Sequence, residues 1–219
     1  YVDTEIPHIP VVAKGLKDEG YATVSTTNWL PYSWSINNVA FAEVMHTSLA
    51  YWQAGRNEEA FKLLKSSVLD GMYLGSSPGN FGQVSFYDAA RGECYRDFGD
   101  PIGVASRALV QGLFGVLPDA MNGRVLVRPG FPSAWDHASI STPDIDIAFK
   151  RTNNTEVYNV ELKFEKQLAL ELQVRAFSDK IKSLKINGKD AKWSFVESAA
   201  GYPIIKISSP ADKKNNIEI

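Results

Sequence analysis

The sequence predicts an α+β protein whose first part is helical and whose second part is built of β-strands. Two observations lead to this prediction. In the first half, apolar residues recur about every 3.6 positions, the period of an amphipathic helix. From about residue 123 they alternate with polar residues, which is typical of half-buried strands. We therefore assign residues 1–118 to a helical part and residues 119–219 to an antiparallel β-sandwich.

The first two helices are predicted to form an αα-hairpin. Asn37 or Asn38 caps a helix that runs to the break Ala54-Gly55-Arg56. Asn57 then caps a second helix, which ends at Gly71. Two helices joined by so short a turn pack against each other. The positions expected to be buried are Phe41, Val44, Met45, Leu49, Trp52, Ala60, Leu63, Leu64 and Val68.

A third helix is predicted after Asp100. Asp100 is expected to cap this helix, and Pro101 occupies its first position, where proline is favoured. Gly115 ends the helix, and Gly103 and Gly112 inside it predict close packing against a neighbour. Its apolar stripe is predicted to be Ile102, Ala105, Leu109, Leu113 and Phe114.

The second half contains repeated segments of alternating polarity, after a connector near residues 117–122. Two turns are marked by their composition, Thr152-Asn153-Asn154 and Asn187-Gly188, and the second is a strong hairpin signal. The outward positions carry mostly charge rather than an aromatic platform. The predicted strand segments are 125–127, 145–149, 158–164, 168–174, 181–186, 191–195, 204–207 and 217–219.

A long segment between the second and third helices, Gly75 to Pro101, is predicted to be an ordered loop. It opens with three glycines and a proline, yet it is rich in aromatic residues, which disordered segments lack. Loops longer than about 12–15 residues inside a compact domain are usually functional or disordered. Its notable side chains are Phe81, Phe86, Tyr87, Tyr95, Asp88, Glu93, Asp97 and Asp100. Interleaved carboxylates and rings suit a sugar site, because carboxylates transfer protons and rings stack on pyranoses.

Composition narrows the possible partners. The net charge is −2, from 23 basic and 25 acidic residues, so nothing favours a nucleic-acid partner or an anionic membrane surface. No apolar run approaches the roughly 18 residues of a membrane span. Neither His8 nor His137 has a carboxylate or cysteine at metal-ligand spacing, so no metal site and no cofactor are expected.

Cellular location is only weakly constrained by the sequence. Cys94 is the single cysteine, which excludes an intrachain disulfide and is interpreted as a buried structural thiol. A reducing compartment fits this, and a periplasmic protein without disulfides fits equally. The chain begins with Tyr1 rather than Met, so we expect it to be processed or cropped. We expect the parent protein to be periplasmic or secreted.

Four segments in a fixed order resemble a known family. They read WLPYSWSINNVAFAEVMHTSLAYWQAGR, RDFGDPIG, RALVQGLFGVLPD and RPGFPSAW. This order resembles the C-terminal part of six-hairpin, (α/α)6-barrel glycoside hydrolases, especially bacterial α-L-rhamnosidase-like enzymes and related proteins of gut Bacteroidetes. In those proteins a Gly-x-x-Pro-like segment, here Gly115-Val116-Leu117-Pro118, leads into an Arg-Pro…Pro…Trp segment, here residues 128–135, and then into a C-terminal β-sandwich.

The resemblance covers nearly the whole chain and implies that residues 1–118 are part of an (α/α)6-type barrel. The residues agree with this, because Trp29, Trp34, Trp52 and the aromatic loop give more rings than so small a bundle buries. The helical half is therefore expected to be incomplete and to pair with the rest of the parent chain.

Glu93 and Asp97 are the predicted catalytic residues. Most glycosidases place two carboxyl groups on opposite sides of the scissile bond. Glu93 is preferred for proton transfer, because partial burial in the loop would raise its pKa toward a useful value. An exposed or arginine-paired Glu93 remains an alternative, and Asp97 has the alternative of pairing with Arg96 or Arg91.

Rings and amides near the loop are the predicted substrate-binding residues. In the segment NWLPYSWS, rings at the mouth of a barrel would stack on sugars, with a packed core as the alternative. Asn80 either binds a sugar hydroxyl or is a turn residue. The predicted substrate-binding set is Trp29, Tyr32, Trp34, Asn80, Tyr87, Asp88 and Tyr95.

The leading hypothesis is a C-terminal fragment of a carbohydrate-active enzyme, a glycoside hydrolase with carboxylate general acid/base chemistry. Its expected partner is an oligo- or polysaccharide. Alone, the fragment is expected to be inactive, because half a pocket does not hold a substrate in reactive geometry. The alternative is a non-catalytic carbohydrate-binding or structural module, and a lyase or phosphorylase on the same barrel is a third hypothesis.

Overall fold

A computed structural model of the chain describes residues 4–7, 23–26, 38–74, 86–88, 93–95, 99–178, 180–199 and 201–219. The chain divides into two compact units, residues 1–110 and residues 111–219, which we call the helical unit and the β unit. The protein is therefore α+β, as the sequence predicts. The assignment of domains to residues 1–118 and 119–219 stays a prediction.

The helical unit contains three α-helices and five short strands among its described residues. The helices are α1 (Phe41–Gln53), α2 (Asn57–Val68) and α3 (Asp100–Arg107). The strands are β1 (Thr4–Pro7), β2 (Thr23–Thr26), β3 (Asn38–Ala40), β4 (Phe86–Asp88) and β5 (Glu93–Tyr95). Strands β1 and β2 pair with each other, and β3, β4 and β5 form a second small antiparallel sheet.

The predicted αα-hairpin is confirmed. Gly55, at φ 74°, ends α1 in the left-handed conformation that glycine adopts without strain. The Arg56 N–H donates to the Tyr51 carbonyl at 2.8 Å and the Gly55 N–H to the Trp52 carbonyl at 3.1 Å, the two bonds of a Schellman motif. All the predicted interior positions of α1 and α2 are buried except Val68, which is half-buried.

The predicted caps of the three helices are wrong. Asn38 lies in β3 rather than at the start of α1, and Asn37 lies outside the described residues. Asn57 and Asp100 are each the first residue of their helix, so Arg56 and Gly99 occupy the cap positions, and neither residue caps its helix with a side-chain hydrogen bond. Both helices therefore begin at the residue that was predicted to precede them as the cap. Asp100 still lies in the first turn of α3, where the helix dipole favours an anion.

The end of α2 differs from the prediction, whereas the helical turns that continue α3 stop just before Gly115, at φ 68°, as predicted. Gly71 does not end α2, because the chain continues beyond Val68 in a π-helical turn, Leu69–Leu74. A second π-helical turn, Ala108–Leu113, follows α3. Gly103 is exposed, and a methyl group at this position would have no neighbouring atom within 4 Å, so Gly103 makes no close approach to another element.

The predicted stripe of the third helix is confirmed only in part, because Leu113 and Phe114 are buried as predicted but Ile102 and Leu109 are not. Pro101, Val104 and Ala108 are buried, whereas Ile102 is 52% exposed and Leu109 is 39% exposed. Helix α1 packs against α3.

The β unit consists of eleven strands in its described residues. They are β6 (Val116–Asp119), β7 (Arg124–Val127), β8 (His137–Ser141), β9 (Ile145–Thr152), β10 (Thr155–Leu162), β11 (Ala169–Arg175), β12 (Lys185–Ile186), β13 (Lys189–Asp190), β14 (Trp193–Phe195), β15 (Ile204–Ser209) and β16 (Lys214–Glu218). They form a six-stranded sheet in the order β13-β12-β16-β10-β9-β8 and a five-stranded sheet in the order β14-β15-β11-β7-β6.

Alternate residues of the central strands are buried, which confirms the predicted period. Both predicted turns are also confirmed: Asn153 at φ 55° joins β9 to β10, while Asn187 and Gly188, at φ 51° and 76°, join β12 to β13. Two successive positive φ values give the twist that a two-residue hairpin needs. The buried strand residues include Val125, Val127, Ile145, Ile147, Phe149, Tyr158, Val160, Leu162, Leu170, Leu172, Val174, Ile205, Ile207 and Ile217.

Three features of the β unit differ from the sequence prediction. The expected connector at 117–122 is instead β6 followed by a 3-10 turn, Ala120–Asn122. Strands β7 and β11 pair in parallel, so the five-stranded sheet is mixed. A parallel pair needs a long crossover, and here β8, β9 and β10 of the other sheet lie between the two strands in sequence.

Aromatic residues are exposed on β14, whereas the outward positions of the strands were expected to carry mostly charge. Trp193 is 38% exposed and Phe195 is 59% exposed, and their rings meet edge-to-face at 5.0 Å. Strand β14 lies at the edge of its sheet. The alternation therefore predicted the strand correctly but not which side chains would be left uncovered.

Candidate active site

The candidate active site is the small sheet of β3, β4 and β5. Asp88 lies opposite Glu93, and Phe86 lies opposite Tyr95, across the antiparallel pair β4–β5. On the other side of β4, Asn38 lies opposite Asp88. Strand β3 runs directly into α1 at residue 41, so this sheet is attached to the start of the αα-hairpin.

Strand alternation assigns these residues to two faces. Residues directly opposite each other share a face, and neighbours along a strand belong to opposite faces. Asp88, Glu93, Phe86 and Tyr95 therefore belong to one face of the sheet. Tyr87 and Cys94, which lie opposite each other, belong to the other face. The register thus brings together two carboxyl-bearing and two aromatic positions, and it separates Tyr87 from them.

The segment Gly75 to Pro101 is not a loop throughout, which corrects the prediction. Its described residues form β4, β5 and the start of α3. Phe86, Tyr87 and Tyr95 belong to the aromatic residues that strands favour, and that signal was available in the sequence. The glycines and the proline at the start of the segment favoured a loop, so the segment was predicted as a loop in spite of its aromatic residues.

The other predicted site residues lie outside the described residues. These are Trp29, Tyr32, Trp34, Asn80 and Asp97. Their roles stay predictions, as do those of Glu93, Asp88, Tyr87 and Tyr95.

Gly115 ties together two of the segments on which the family resemblance depends. Its carbonyl accepts the Arg128 N–H at 2.9 Å, and the Leu113 carbonyl accepts the Gly130 N–H at 3.0 Å. Gly115 has φ 68°, and a methyl group there would stand 1.8 Å from the Arg128 carbonyl oxygen. The Gly-x-x-Pro-like segment and the Arg-Pro segment therefore lie against each other, and only glycine permits this approach.

An aromatic cluster continues from the same contact. The ring of Phe131 lies 5.3 Å from Phe114, 6.1 Å from Trp135 and 5.2 Å from Phe149, centroid to centroid. Phe149 in turn lies 5.0 Å from Tyr158. These motif residues hold the first strands of the β unit onto its core, so their role here is structural.

A polar network is buried beside this cluster. Glu156, 8% exposed, accepts the Tyr158 hydroxyl at 2.9 Å and the Arg151 Nε–H at 2.8 Å. Burial, followed by the charge of Glu156, raises the pKa of the Tyr158 hydroxyl well above its ordinary value. Arg151 Nη1 also donates to the carbonyls of Ser133 and Trp135. The sequence contained no signal for this network, whose members come from a loop and two strands.

The remaining ion pairs of the β unit each contain at least one exposed side chain. Hydrogen bonds from Asn122 and then Arg124 lower the pKa of the Asp119 carboxyl, and those from Lys163 and Ser141 lower that of Asp146. The His137 imidazole lies 2.5 Å from the Asp136 carboxylate. Among the described residues, no three His, Cys, Asp or Glu side chains are grouped closely enough to hold a metal ion.

Among known proteins, this chain is similar to solved structures and not to family models or curated sequences. No protein-family model matches the chain, and no curated protein matches it. Among solved structures, an α-L-rhamnosidase of Streptomyces avermitilis in complex with L-rhamnose is similar at 12% identity and a TM-score of 0.47, over 82% of this chain and 17% of that one. An α-L-rhamnosidase of Dictyoglumus thermophilum is similar at 13% identity and a TM-score of 0.47, over 80% of this chain and 20% of that one.

Both matched proteins are α-L-rhamnosidases, the group of glycoside hydrolases that the sequence resembles. The chain spans about a fifth of the length of each. Within the described residues, no helix is long and apolar enough to cross a membrane.

Proposed function

We propose that this chain is the C-terminal part of a carbohydrate-active enzyme, a glycoside hydrolase that acts on an oligo- or polysaccharide. The observation that carries the proposal is the register of β4 and β5, which assigns Asp88 and Glu93 to one face of a sheet. In this proposal the helices belong to an (α/α)6 barrel, and the two sheets of the β unit form a β-sandwich.

The composition of that face fits glycoside hydrolysis. Two carboxyl groups are needed, one to protonate the leaving oxygen and one to act as base or nucleophile. Glu93 is the proposed proton-transfer residue. Asp88, directly opposite it, and Asp97 are the two candidates for the second carboxylate. The aromatic positions Phe86 and Tyr95 on the same face supply surfaces for a sugar ring.

The exposed face of α3 supports the view that the helical unit is incomplete. Ile102 of α3 and Leu109 of the π-helical turn that follows it are both exposed. We propose that the rest of the parent chain covers them and completes the substrate cleft. The isolated 219-residue chain is therefore expected to be inactive.

Substitutions in the full-length parent test the catalytic assignment. We expect Glu93→Gln to lower kcat on its glycan substrate about 10²–10⁴-fold, the usual contribution of a general acid or base. The assay is hydrolysis of a panel of plant and host glycans, with Glu197→Gln, an exposed carboxylate of the β unit, as the matched control. Asp88→Asn and Asp97→Asn then show which residue is the second carboxylate. Unchanged hydrolysis by Glu93→Gln would remove Glu93 from the mechanism.

A non-catalytic carbohydrate-binding module is the second candidate function. The observation in its favour is the exposed pair Trp193 and Phe195 on β14. This function predicts that the intact parent hydrolyses no glycan of the panel and that Trp193→Ala reduces glycan binding. A parent that hydrolyses a glycan while Trp193→Ala leaves binding unchanged would exclude it.

We also propose that the parent protein is periplasmic or secreted, where polysaccharides are encountered. Fractionation of the source cells tests this, and a parent found wholly in the cytoplasmic fraction would overturn it.

A further inference from the structure

The β unit contains a cavity of about 680 Å³ that the proposed hydrolysis does not use. It lies where the β9–β10 turn, the end of β11, residues 176–183 and the end of β16 come together. Its described polar lining is a mixture of charged groups, hydroxyls and amides, among them Arg175, Lys180, Lys182, Asn153 and Ser178.

Arg151 belongs to the wall of the cavity and is fully engaged by the protein. Its Nη2 lies 2.7 Å from the Glu156 carboxylate, and its side chain is only 22% exposed. The guanidinium stacks over the ring of Phe177, with its central carbon 4.3 Å from the ring centroid. Arg151 and Glu156 therefore neutralise each other and hold Phe177 in place.

Arg175 differs from Arg151 in having no carboxylate partner among the described residues. Its guanidinium carbon lies 5.0 Å from the Phe177 centroid and 4.6 Å from the Tyr202 centroid. Stacking of this kind occupies the faces of the planar guanidinium and leaves the N–H groups at its edge able to donate. Arg175 is thus fixed in position by two rings while its hydrogen-bonding edge is unused by the described residues.

Two further cations line the cavity beside Arg175. Lys180 and Lys182 are exposed, and neither has an ion-pair partner among the described residues. Apart from Glu156, which is paired, the one described carboxylate side chain of the lining is Glu218, and Asp179 lies outside the described residues. The described lining therefore carries more positive than negative charge, although the whole chain has a net charge of −2.

We propose that this cavity binds an acidic saccharide, a sugar that carries a carboxylate. The edge of Arg175 presents paired N–H donors that match a carboxylate, with the lysines adding to the attraction. The hydroxyls and amides of the lining, such as Asn153 and Ser178, bond the sugar hydroxyls. The anionic character of the ligand follows from the charges, whereas its being a saccharide rests on the proposed function.

Binding to the 219-residue chain tests the proposal by isothermal titration calorimetry. The probes are trigalacturonate, its neutral counterpart galactotriose, and inorganic sulfate. We expect trigalacturonate to bind the wild-type chain at least tenfold more tightly than either of the others, and less tightly as salt is raised. Arg175→Gln is expected to lower the affinity roughly tenfold or more, the usual weight of a hydrogen bond to a charged group.

Matched variants separate a specific site from general charge. Lys192→Gln removes one exposed cation that does not line the cavity and is expected to change the affinity less than twofold. Lys180→Gln combined with Lys182→Gln gives a second test that leaves the ring stack intact, and it is expected to weaken trigalacturonate binding more than Lys192→Gln does. Equal losses in Arg175→Gln and Lys192→Gln, or sulfate binding as tight as that of trigalacturonate, would overturn the proposal. This assay measures binding and not hydrolysis. A negative result here would leave the catalytic role of Glu93 standing, and an inactive parent would leave a measured affinity for trigalacturonate standing.

Discussion

The two units of this chain differ in the kind of element on which their described residues leave apolar side chains exposed. In the β unit, alternate residues of the central strands are buried, and the buried Glu156 and Asn215 both have hydrogen-bond partners. In the helical unit, Ile102 of α3 and Leu109 of the following π-helical turn are exposed, whereas the exposed large apolar residues of the β unit are Met121, Phe177, Trp193 and Phe195. The exposed positions of the helical unit therefore lie on a helical segment, where the proposed barrel would cover them, and those of the β unit lie on segments that connect strands and on an edge strand.

The largest expected loss of stability in the β unit comes from adding a methyl group at Gly115. We expect Gly115→Ala to lower the free energy of unfolding by about 4 kcal/mol or more, because the φ of 68° is strained for alanine and the methyl group would overlap the Arg128 carbonyl. Chemical denaturation monitored by tryptophan fluorescence measures this.

The matched control for that substitution lies in the helical unit. Gly103→Ala lies in α3 with open space around its methyl group, so it is expected to stabilise the helix by up to about 1 kcal/mol. A mild effect of Gly115→Ala, similar in size to that of the control, would contradict the close approach.

The substitutions Ile102→Ser and Leu109→Ser test whether the rest of the parent chain covers these two exposed residues of the helical unit. In the 219-residue chain both are expected to change the unfolding free energy by less than about 0.5 kcal/mol, because exposed side chains contribute little. In the full-length parent each is expected to cost about 1–3 kcal/mol, if further helices bury these positions.

Val104→Ala is the control, since Val104 is already buried and its cost should be alike in both proteins. Thermal unfolding of both lengths of chain gives the comparison. Equal and small effects of Ile102→Ser in the two proteins would show that nothing covers this face.

The smallest expected effect on stability comes from the buried network of Arg151, Glu156 and Tyr158 in the β unit, and part of it appears only at alkaline pH. The folded pKa of Tyr158 is raised above its unfolded value, so its contribution to stability is complete below about pH 10 and is lost as the pH rises toward the folded pKa. Tyr158→Phe is expected to cost about 1 kcal/mol at neutral pH, from the lost bond to Glu156, and to flatten the decline above about pH 10.

Urea denaturation at a series of pH values from neutral to alkaline measures both parts of that prediction. The difference in unfolding free energy between wild type and Tyr158→Phe at neutral pH is the reference for the same difference at alkaline pH. An alkaline decline of the same slope in both proteins would show that Tyr158 is not the residue responsible.

Short-range patterns in the sequence predicted much of the fold. The period of 3.6 located α1 and α2 together with nearly all of their buried residues, and the period of 2 located β9, β10 and β11. Asn187-Gly188 predicted its hairpin because those residues accept positive φ values. These features depend on a few neighbouring residues, which is why a single sequence predicted them.

The candidate sites were predictable only in part. Glu93 and Asp88 were singled out by residue type and by the aromatic residues around them, but their opposite placement depends on strand pairing within a segment that looked like a loop. Arg175 was not singled out at all. Its importance comes from the rings of Phe177 and Tyr202, and no local pattern links residue 202 to residue 175.

The sequence by itself determined α1, α2, the central strands of the β unit, the turns and most of the core positions of these elements, because these follow from local backbone preferences and from the burial of apolar side chains. Only the tertiary structure decided which face of α3 is covered, that β7 pairs with β11 in parallel, and that Asp88 lies opposite Glu93. These depend on contacts between residues distant in sequence, whose free energies are set by packing partners that a local pattern does not specify.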